Sequence, residues 1–544
     1  MNESKNLLLA VILSIAVLFI WQAISPKKQL PPAPEQKITK SLIKKEKETI
    51  YRPRGKEIFF ENTKIKGSFY TDKLSINNLI LKNYDTSLED KSPVHLLNHK
   101  QNSKYFIDLG WYINSQNVND KKRWKLISQS NILTPQSPLK FQIKVKRNVY
   151  LTRTIYLDEN FLFTYYDKID NQSSNVISYN QFGLSNKTVK EIDPSLFILH
   201  EGPIGVFNEQ LEEIKYKKIL KKNKKEFTSY GGWAGISDKY WLTAIVPNES
   251  ELFEYRFNGY KKNNLKKFQI DFKGQEKLLN PGQSYQTTTK IFAGPKEIKI
   301  IDLYTNKENI KLFDRSIDFG ILYFITKPIY LLLKSIYSVI SNFGLAIIFL
   351  TIIIRLALFP LASSSFKEIS KIREIHPEIA KIRKEHKEDK MRINREVMKL
   401  YKTYNIKPMK GFLPILIQAF VFFALYKVLF VTIDMRHAPF FGWIKDLTAA
   451  DPSSFINLFG ILPFDSPVKF GLYPLILGVT MVIQQKLNPP PADPMQAKMV
   501  KFLPYFFVIL FVSFPVGLVI YWIFNNSFSI AQQYLIMKKH KLKK

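Results

Sequence analysis

Residues 343–362 read FGLAIIFLTIIIRLALFPLA, and this stretch decides the class of fold that the chain can adopt. A helix of this length rises about 30 Å, which is the thickness of the hydrocarbon core of a bilayer. Arg355 is the single charged residue within it. The stretch therefore predicts a membrane-spanning helix that carries one buried cation.

Other apolar stretches extend this prediction to a multi-pass α-helical membrane bundle. Residues 502–536 are mostly apolar, which is too long for one ordinary span, and Pro515 and Gly517 predict a turn between two short helices. We expect six spans, the last five forming a core at residues 343–537: an anchor at 1–24 and spans at 343–362, 412–433, 470–485, 501–514 and 517–536.

The part before this core has a different composition. The apolar run within residues 1–24 lacks a clear cleavage site, which favours an uncleaved anchor over a cleaved signal peptide. Residues 25–57 are rich in lysine and proline, so we expect a disordered linker. Within residues 58–315, side chains alternate between apolar and polar, as at Phe141 and Ile143, and this pattern predicts a large all-β sandwich.

Residues 316–342 are apolar but carry a periodic polar stripe. Lys327, Lys334 and Ser341 recur every seven positions, which places them on one face of a helix. This stripe favours an amphipathic helix in the membrane interface. A further membrane span is the alternative.

Charge indicates the orientation in the membrane. The net charge of +34 suggests a partner with phosphates, namely nucleic acid, a ribosome or anionic lipid, or else the basic bias of cytoplasmic loops. Residues 363–410 carry 14 Lys/Arg against 7 Asp/Glu, and the tail at 538–544 is basic. The positive-inside rule places both in the cytoplasm. With an even number of spans, both termini lie inside and the β-domain lies outside.

Residues 363–410 also predict a helical hairpin, because isoleucines recur there at spacings of three and four residues. The hairpin either packs on itself and covers the bundle or forms a mobile basic lid at its cytoplasmic end.

Arg355 is the strongest indication of a functional site. A charge at the centre of a span costs about 2.5–3.5 kcal/mol on insertion scales. The side chain either snorkels to the headgroups or faces a water-filled cavity, and Thr351 shares its helix face. Polar residues in other spans either form interhelical hydrogen bonds or line the same groove: Gln418, Asn525, Asn526, Ser527, Gln532 and Gln533. Lys427 is expected to snorkel outwards.

Enzyme chemistry is not indicated. The chain has no cysteine, which excludes disulfides, thiolate catalysis and cysteine-ligated metals. Its seven histidines are scattered, and it has no phosphate-binding loop or hydrolase motif. We therefore predict no catalytic residue, no cofactor and no metal.

Several segments resemble the YidC/Oxa family of membrane protein insertases, in the Gram-negative form with a large periplasmic domain. The similarity is strong over about residues 313–537. It rests on these motifs: Asn342–Ile348, the Arg355 span ending in Phe359–Leu361, Pro408–Gln418, Ala438–Phe440, Trp443–Leu447, Asp493–Gln496, and Phe514–Leu518 with Tyr521 and Trp522. In the β-domain, Gly231–Trp233 and Asp238–Tyr240 are the most similar patch.

The resemblance implies an insertase and chaperone of the bacterial inner membrane. It implies five core spans around a hydrophilic groove that is open to the cytosol and lipid but closed to the outside. It also implies that client proteins contact the groove residues Arg355, Thr351, Gln418, Tyr521, Trp522 and Asn525. The implied partners are nascent membrane proteins, the ribosome, the Sec translocon and lipids, with no specific nucleic acid beyond ribosomal RNA.

Two other functional classes make different predictions. A transporter or channel would have inverted repeats and a charged pathway across the whole membrane, whereas this sequence has one buried charge near one side. A sugar-binding or sugar-modifying β-domain would have clusters of carboxylates or histidines, and their spacing does not indicate any.

Overall fold

The computed structural model describes residues 55–99, 103–121, 123–192, 199–320, 322–386, 389–455, 458, 462, 470–487 and 494–541. The anchor expected at 1–24 and almost all of the linker expected at 25–57 lie outside these residues. Within them, residues 374–406 form one compact unit, and the β-rich region together with the remaining helices forms the other.

Alternating apolar residues build three sheets from the described part of residues 57–295, and nearly all neighbouring strands in them are antiparallel. Their strands are β1 Glu57–Glu61, β2 Ile65–Tyr70, β3 Asn78–Asp85, β4 Pro93–Leu97, β5 Tyr105–Ile113, β6 Gln116–Asn117, β7 Lys125–Leu126, β8 Ile132–Leu133, β9 Leu139–Lys146, β10 Val149–Leu157, β11 Leu162–Asn171, β12 Ile177–Val189, β13 Gly202–Phe207, β14 Gln210–Glu213, β15 Lys224–Tyr230, β16 Trp233–Ser237, β17 Trp241–Val246, β18 Leu252–Lys262, β19 Leu265–Gly274, β20 Lys277–Leu279 and β21 Ser284–Pro295.

The two larger sheets face each other and form the expected β-sandwich. One has the order β14-β13-β16-β17-β21-β11-β10-β9-β7, and the other β15-β18-β19-β12-β5-β6 with β20 beside β12; the smaller sheet is β4-β3-β2-β1-β8. Trp111 Nε1 on β5 donates to Asp167 Oδ2 on β11 at 2.7 Å, across the sandwich. Arg153 forms a fully buried ion pair with the same carboxylate. This pair joins the neighbouring strands β10 and β11, and Arg153 Nη1 also donates across the sandwich to the Leu109 carbonyl oxygen on β5 at 2.9 Å.

Helices account for most of the chain after residue 297. Among the residues that the structure describes, three are associated with the β-domain, and nine follow it: α1 Val118–Lys121, α2 Tyr216–Lys222, α3 Ile298–Asn306, α4 Tyr323–Ile340, α5 Phe343–Ala357, α6 Phe359–Glu374, α7 His376–Glu385, α8 Lys390–Thr403, α9 Pro408–Val431, α10 Leu472–Leu487, α11 Pro494–Phe511 and α12 Val516–Lys541.

By length and hydropathy, none of the individual helices among the described residues qualifies as a full membrane span. The pair α5 and α6 qualifies when taken together, and its members meet at an angle of 66°. The span expected at 343–362 is therefore broken after Ala357. Pro360 explains the break, because proline lacks the N–H that would continue the hydrogen-bond ladder.

Helix α4 lies where the amphipathic helix is expected, but its lysines face protein. Lys327 Nζ donates to Asp302 Oδ1 at 2.8 Å, and Lys334 pairs with Asp434, which follows α9. Apolar side chains such as Phe324 and Val339 are the exposed ones. The polar stripe therefore attaches α4 to the β-domain and to α9, and its apolar face remains uncovered by the described residues.

Lys427 corrects a second expectation, because it does not snorkel. Its Nζ donates to Asp318 Oδ2 at 2.9 Å, and each of the two side chains is only 12% exposed. The same carboxylate oxygen accepts the backbone N–H of His200 at 2.8 Å. One buried pair therefore connects the β-domain to the end of α9.

The helical hairpin expected over residues 363–410 is formed by fewer residues in the structure. Residues up to 373 continue as α6 in the larger unit, and the paired helices are α7 and α8. Tyr404 Oη donates to Glu378 Oε1 at 3.0 Å within this pair. Asp389 caps α8 by accepting the backbone N–H of Arg392 at 2.9 Å.

Candidate functional site: a polar cluster within the helical bundle

Arg355, in the last turn of α5, is bound by one asparagine of α12. Its Nε donates to Asn525 Oδ1 at 2.8 Å, and its Nη2 donates to the Asn525 carbonyl oxygen at 3.1 Å. A guanidinium has five N–H donors, and no other described residue accepts one from Arg355. Among the described residues its partner is a neutral amide and not a carboxylate. The side chain therefore keeps both an unneutralised charge and spare donors.

A second interhelical hydrogen bond lies one turn away along α12. Gln418 Nε2 on α9 donates to Tyr521 Oη at 2.6 Å, and the tyrosine is buried. Tyr521 and Asn525 are four residues apart and so share a face of α12. The structure thus brings polar groups of α5, α9 and α12 towards one face of the last helix.

Thr351 shares the face of Arg355 and is almost fully buried. Its Oγ1 donates to the Ile347 carbonyl oxygen of its own helix at 2.7 Å. Since this bond uses its only proton, the hydroxyl can offer a bound molecule only its oxygen lone pairs.

Trp522 is not part of this polar cluster. Its ring packs against Phe422, Phe507 and Phe511, with centroid distances of 4.8, 6.2 and 5.2 Å. One residue along a helix turns the side chain by about 100°, so Trp522 projects to a different face from Tyr521. The structure therefore gives Trp522 an aromatic packing environment.

The other polar residues of α12 also divide between faces. Asn526 Nδ2 donates to Thr480 Oγ1 at 3.2 Å, and Gln533 Nε2 to the Leu487 carbonyl oxygen at 3.0 Å, so both bind α10. Gln532 Nε2 reaches the Phe359 carbonyl oxygen at 3.4 Å, beside the break between α5 and α6. Ser527 bonds to its own helix. Asn525 and Gln532 are seven positions apart, as are Asn526 and Gln533, and these spacings are the sequence signal that separates the two faces.

Pro515 and Gly517 lie where the chain turns between α11 and α12. Pro515 provides the carbonyl that accepts the N–H of Leu518 at 3.0 Å. A Cβ on Gly517 would lie 3.1 Å from the Leu447 carbonyl oxygen and 3.2 Å from a methyl of Leu429. Gly517 therefore permits the start of α12 to approach its neighbours closely.

The segment 432–451, hereafter the outer loop, covers this turn. Its Leu447 and Ala449 carbonyl oxygens accept the N–H groups of Gly517 and Val516 at 3.0 and 2.8 Å. These N–H groups belong to the first turn of α12, where backbone N–H groups have no acceptor within the helix itself. The outer loop thus closes the bundle at the end opposite to the Arg355 end of α5.

Asp451 is the residue of this region that sequence analysis missed. Its buried carboxylate accepts Trp443 Nε1, the backbone N–H and hydroxyl of Ser453, and the N–H of Tyr473 in the first turn of α10, at 2.7–3.0 Å. An aspartate two residues before a serine is a turn signal that could have indicated it. The carboxylate therefore joins the outer loop to α10.

No group of three or more His, Asp or Glu side chains suited to a metal ion occurs among the residues that the structure describes. The polar cluster therefore offers hydrogen bonds and one positive charge, and these can bind a polar or acidic segment within an apolar bundle.

Comparison with known proteins identifies the family that the chain resembles. A family model described as the 60Kd inner membrane protein matches residues 335–544, and one described as the YidC periplasmic domain matches residues 57–332. The membrane protein insertase YidC of Rickettsia bellii is 39% identical over 99% of this chain and all of its own length, and that of Rickettsia africae is 40% identical over 99% of both.

The chain belongs to the YidC family of membrane protein insertases. A solved YidC insertase with its first transmembrane domain resolved covers 98% of this chain and 99% of its own, at 17% identity and a TM-score of 0.37, which is too distant to add to this assignment. The family resemblance stated from sequence is confirmed. Its members are insertases and not enzymes, and the family with its periplasmic domain belongs to the inner membrane.

Proposed function

We propose that the chain inserts nascent membrane proteins into the inner membrane from the cytoplasmic side and assists their folding. The observation that carries the proposal is the environment of the Arg355 guanidinium. The guanidinium extends from the mostly apolar helix α5 and is bound by the neutral Asn525 of α12. Because the charge is uncompensated, it lowers the free-energy cost of bringing the polar or acidic flank of a client into the bundle. Gln418 extends the polar surface that the client meets, and the buried Tyr521 and Thr351 belong to the same cluster.

The proposed topology has six spans, with both termini in the cytoplasm and the β-domain in the periplasm. The excess of lysine and arginine in 363–410 and in the tail supports this orientation. The buried Asp318–Lys427 pair supports it too, since it joins the β-domain to the opposite end of α9.

Insertion in this proposal needs no nucleotide. The apolar part of α11, from residue 502 to 511, is short compared with a bilayer, so the membrane thins beside it. The client then moves into lipid, driven by burial of its apolar surface and, for suitable charges, by the membrane potential. The ribosome would engage the basic cytoplasmic segments, and the Sec translocon would assist with larger clients.

The test is insertion of a short radiolabelled membrane protein into vesicles that contain only the purified chain. We expect Arg355→Ala to reduce the protease-protected fraction about tenfold, equivalent to about 1.4 kcal/mol, and Arg355→Lys to retain part of it. Lys501→Ala is the matched control, because it removes an exposed cation from the same core. Full insertion by Arg355→Ala, or a requirement for added ATP, would contradict the proposal.

Client contact is tested separately with a photoreactive residue in place of Thr351 or Ile483, the latter being an exposed side chain of α10. Translation of the client in the presence of these variants is expected to yield crosslinks from position 351 and few from position 483. Equal crosslinking from the two positions would show that the polar cluster is not the client site.

A further inference from the structure

The tip of the outer loop has an aromatic face that the described residues leave exposed. Phe441 is 58% exposed and Trp443 is 38% exposed, and between them Gly442 turns the chain with φ of +66°. Lys445 follows and is also exposed. Large aromatic side chains beside a cation are typical of membrane–water interfaces, where the rings lie among the headgroups.

The opposite face of the same loop is held firmly by the bundle. Phe440 packs so closely against α5 that a Cβ on Gly344 would clash with its ring. The Trp443 indole N–H is bound by Asp451, and the carbonyls of Leu447 and Ala449 accept N–H groups of α12. The starts of α5, α10 and α12 therefore fix the height of the tip relative to the helices.

Lipid is the occupant that this position favours. The ring of Trp443 lies 6.1 Å from that of Tyr473 in the first turn of α10. Below it on that helix, the exposed side chains Ile476, Val479 and Ile483 recur at spacings of three and four and form one apolar stripe. The aromatic tip thus continues a surface that faces lipid in the proposed topology.

We propose that Phe441, Trp443 and Lys445 form a lipid anchor that inserts the two rings into the interface of the outer leaflet and sets the depth of the turn between α11 and α12. The inference rests on the proposed orientation, with the outer loop on the periplasmic side. Because the loop caps the first turn of α12 through Leu447 and Ala449, its depth is transmitted directly to Pro515. The short hairpin would then stay at the depth at which it thins the bilayer.

The absence of cysteine from the chain permits a direct test with single-cysteine variants that carry a nitroxide label. The full chain is reconstituted in vesicles of phosphatidylethanolamine and phosphatidylglycerol, and collisions with oxygen and with a water-soluble nickel complex are compared. Val479→Cys, at an exposed site of α10, marks the hydrocarbon; Leu278→Cys, 70% exposed on β20, marks water.

For the label at Phe441→Cys, the ratio of oxygen collisions to nickel collisions is expected to be severalfold higher than for the label at Leu278→Cys. The label at Phe441→Cys is also expected to lie at a shallower depth than the label at Val479→Cys. In a second pair of variants, the label is attached at Ser513→Cys, an exposed site in the turn between α11 and α12. One of the two variants also carries Trp443→Asp. Trp443→Asp is expected to raise nickel access at 513.

Three outcomes would overturn the inference: a label at 441 that behaves like 278, a label at 441 shielded from both reagents as in a protein contact, or an unchanged depth at 513. If the label at 479 also lies in water, the proposed embedding of the bundle fails as well. If the label at 479 lies in hydrocarbon and the label at 441 lies in water, only the proposed lipid anchor is contradicted.

Discussion

At the scale of single residues, Arg355 and Asn525 depend on each other. Each hydrogen bond from a charged group contributes about 1.5–3 kcal/mol, and the asparagine accepts two of them through its side chain and its backbone. Only the side-chain contact can be removed by substitution. The polar cluster around Arg355 and the position of α12 are therefore expected to change together.

We predict that Arg355→Ala and Asn525→Ala are non-additive. The double variant is expected to be more stable than the sum of the single effects implies, by about 0.5–3 kcal/mol, because either substitution already breaks the pair. Thermal unfolding of the detergent-solubilised chain measures this coupling. Thr480→Ala combined with Arg355→Ala is the control and is expected to be additive, since Thr480 binds Asn526 on another face of α12. Additive effects for Arg355→Ala and Asn525→Ala would mean that the pair does not form.

A second residue-scale prediction concerns His200. Burial, with a smaller effect of the nearby Lys296, lowers the pKa of its imidazole from 6.5 to about 4. Between these values the unfolded chain binds a proton that the folded chain does not. His200 therefore stabilises the fold above pH 6.5, and this contribution, about 3 kcal/mol, is lost as the pH falls towards 4.

Urea unfolding of the full chain between pH 4.5 and 7.5 measures this contribution. His200→Gln is expected to flatten the loss of stability on acidification, whereas His95→Gln, at an exposed site, is expected to keep the wild-type pH dependence. Parallel curves for wild type and His200→Gln would show that this histidine is accessible to protons in the folded chain.

At the scale of secondary-structure elements, the start of α12 depends on close packing. The outer loop supplies acceptors for its first N–H groups, and the missing side chain at position 517 leaves room for them. A helix start without acceptors would leave buried donors unpaired at about 1–3 kcal/mol each.

We therefore predict that Gly517→Leu destabilises the bundle by about 1–3 kcal/mol, because the added atoms meet the Leu447 carbonyl and the side chain of Leu429. Ala531→Leu is the matched control, since it enlarges an exposed residue of the same helix. Thermal unfolding in detergent distinguishes the two. If Gly517→Leu is as stable as Ala531→Leu, the close approach at the start of α12 is not required.

At the scale of the whole molecule, polar contacts join the β-domain to the helices, one of them buried and one exposed. Besides Asp318 and Lys427, Arg436 Nη2 donates to the carbonyl oxygens of Asp85 and Thr86 at 2.6 and 2.9 Å. Contacts of this kind are expected to orient α9, which also carries Gln418 of the polar cluster.

We predict that Lys427→Met lowers stability by about 3–5 kcal/mol, since it leaves the carboxylate of Asp318 buried without its cation. Adding Asp318→Asn is expected to recover part of this loss, because the amide can still accept the N–H of His200. Thermal unfolding and limited proteolysis of the full chain measure both effects, with Lys501→Met as the control. If the double variant is less stable than Lys427→Met, the charge of Asp318 is not the cause.

The division into a β-rich region and a helical region can be read from the order of residues alone, because the period of apolar residues is a local property of the chain. The sequence also identified Arg355, Gln418 and Asn525 as polar residues in apolar helices. The family assignment followed from motifs, which are local as well. Each of these features can be recognised without knowing which parts of the chain meet.

Which of these residues share a site depends on how the folded chain packs. Arg355 and Asn525 are 170 positions apart, and Lys427 and Asp318 are 109 apart, so no spacing in the sequence could pair them. The lysines of α4 face carboxylates rather than solvent for the same reason. Contacts between distant segments depend on how helices and sheets pack around one another, and hydrophobic periodicity specifies which face of an element is buried but not the partner that covers it.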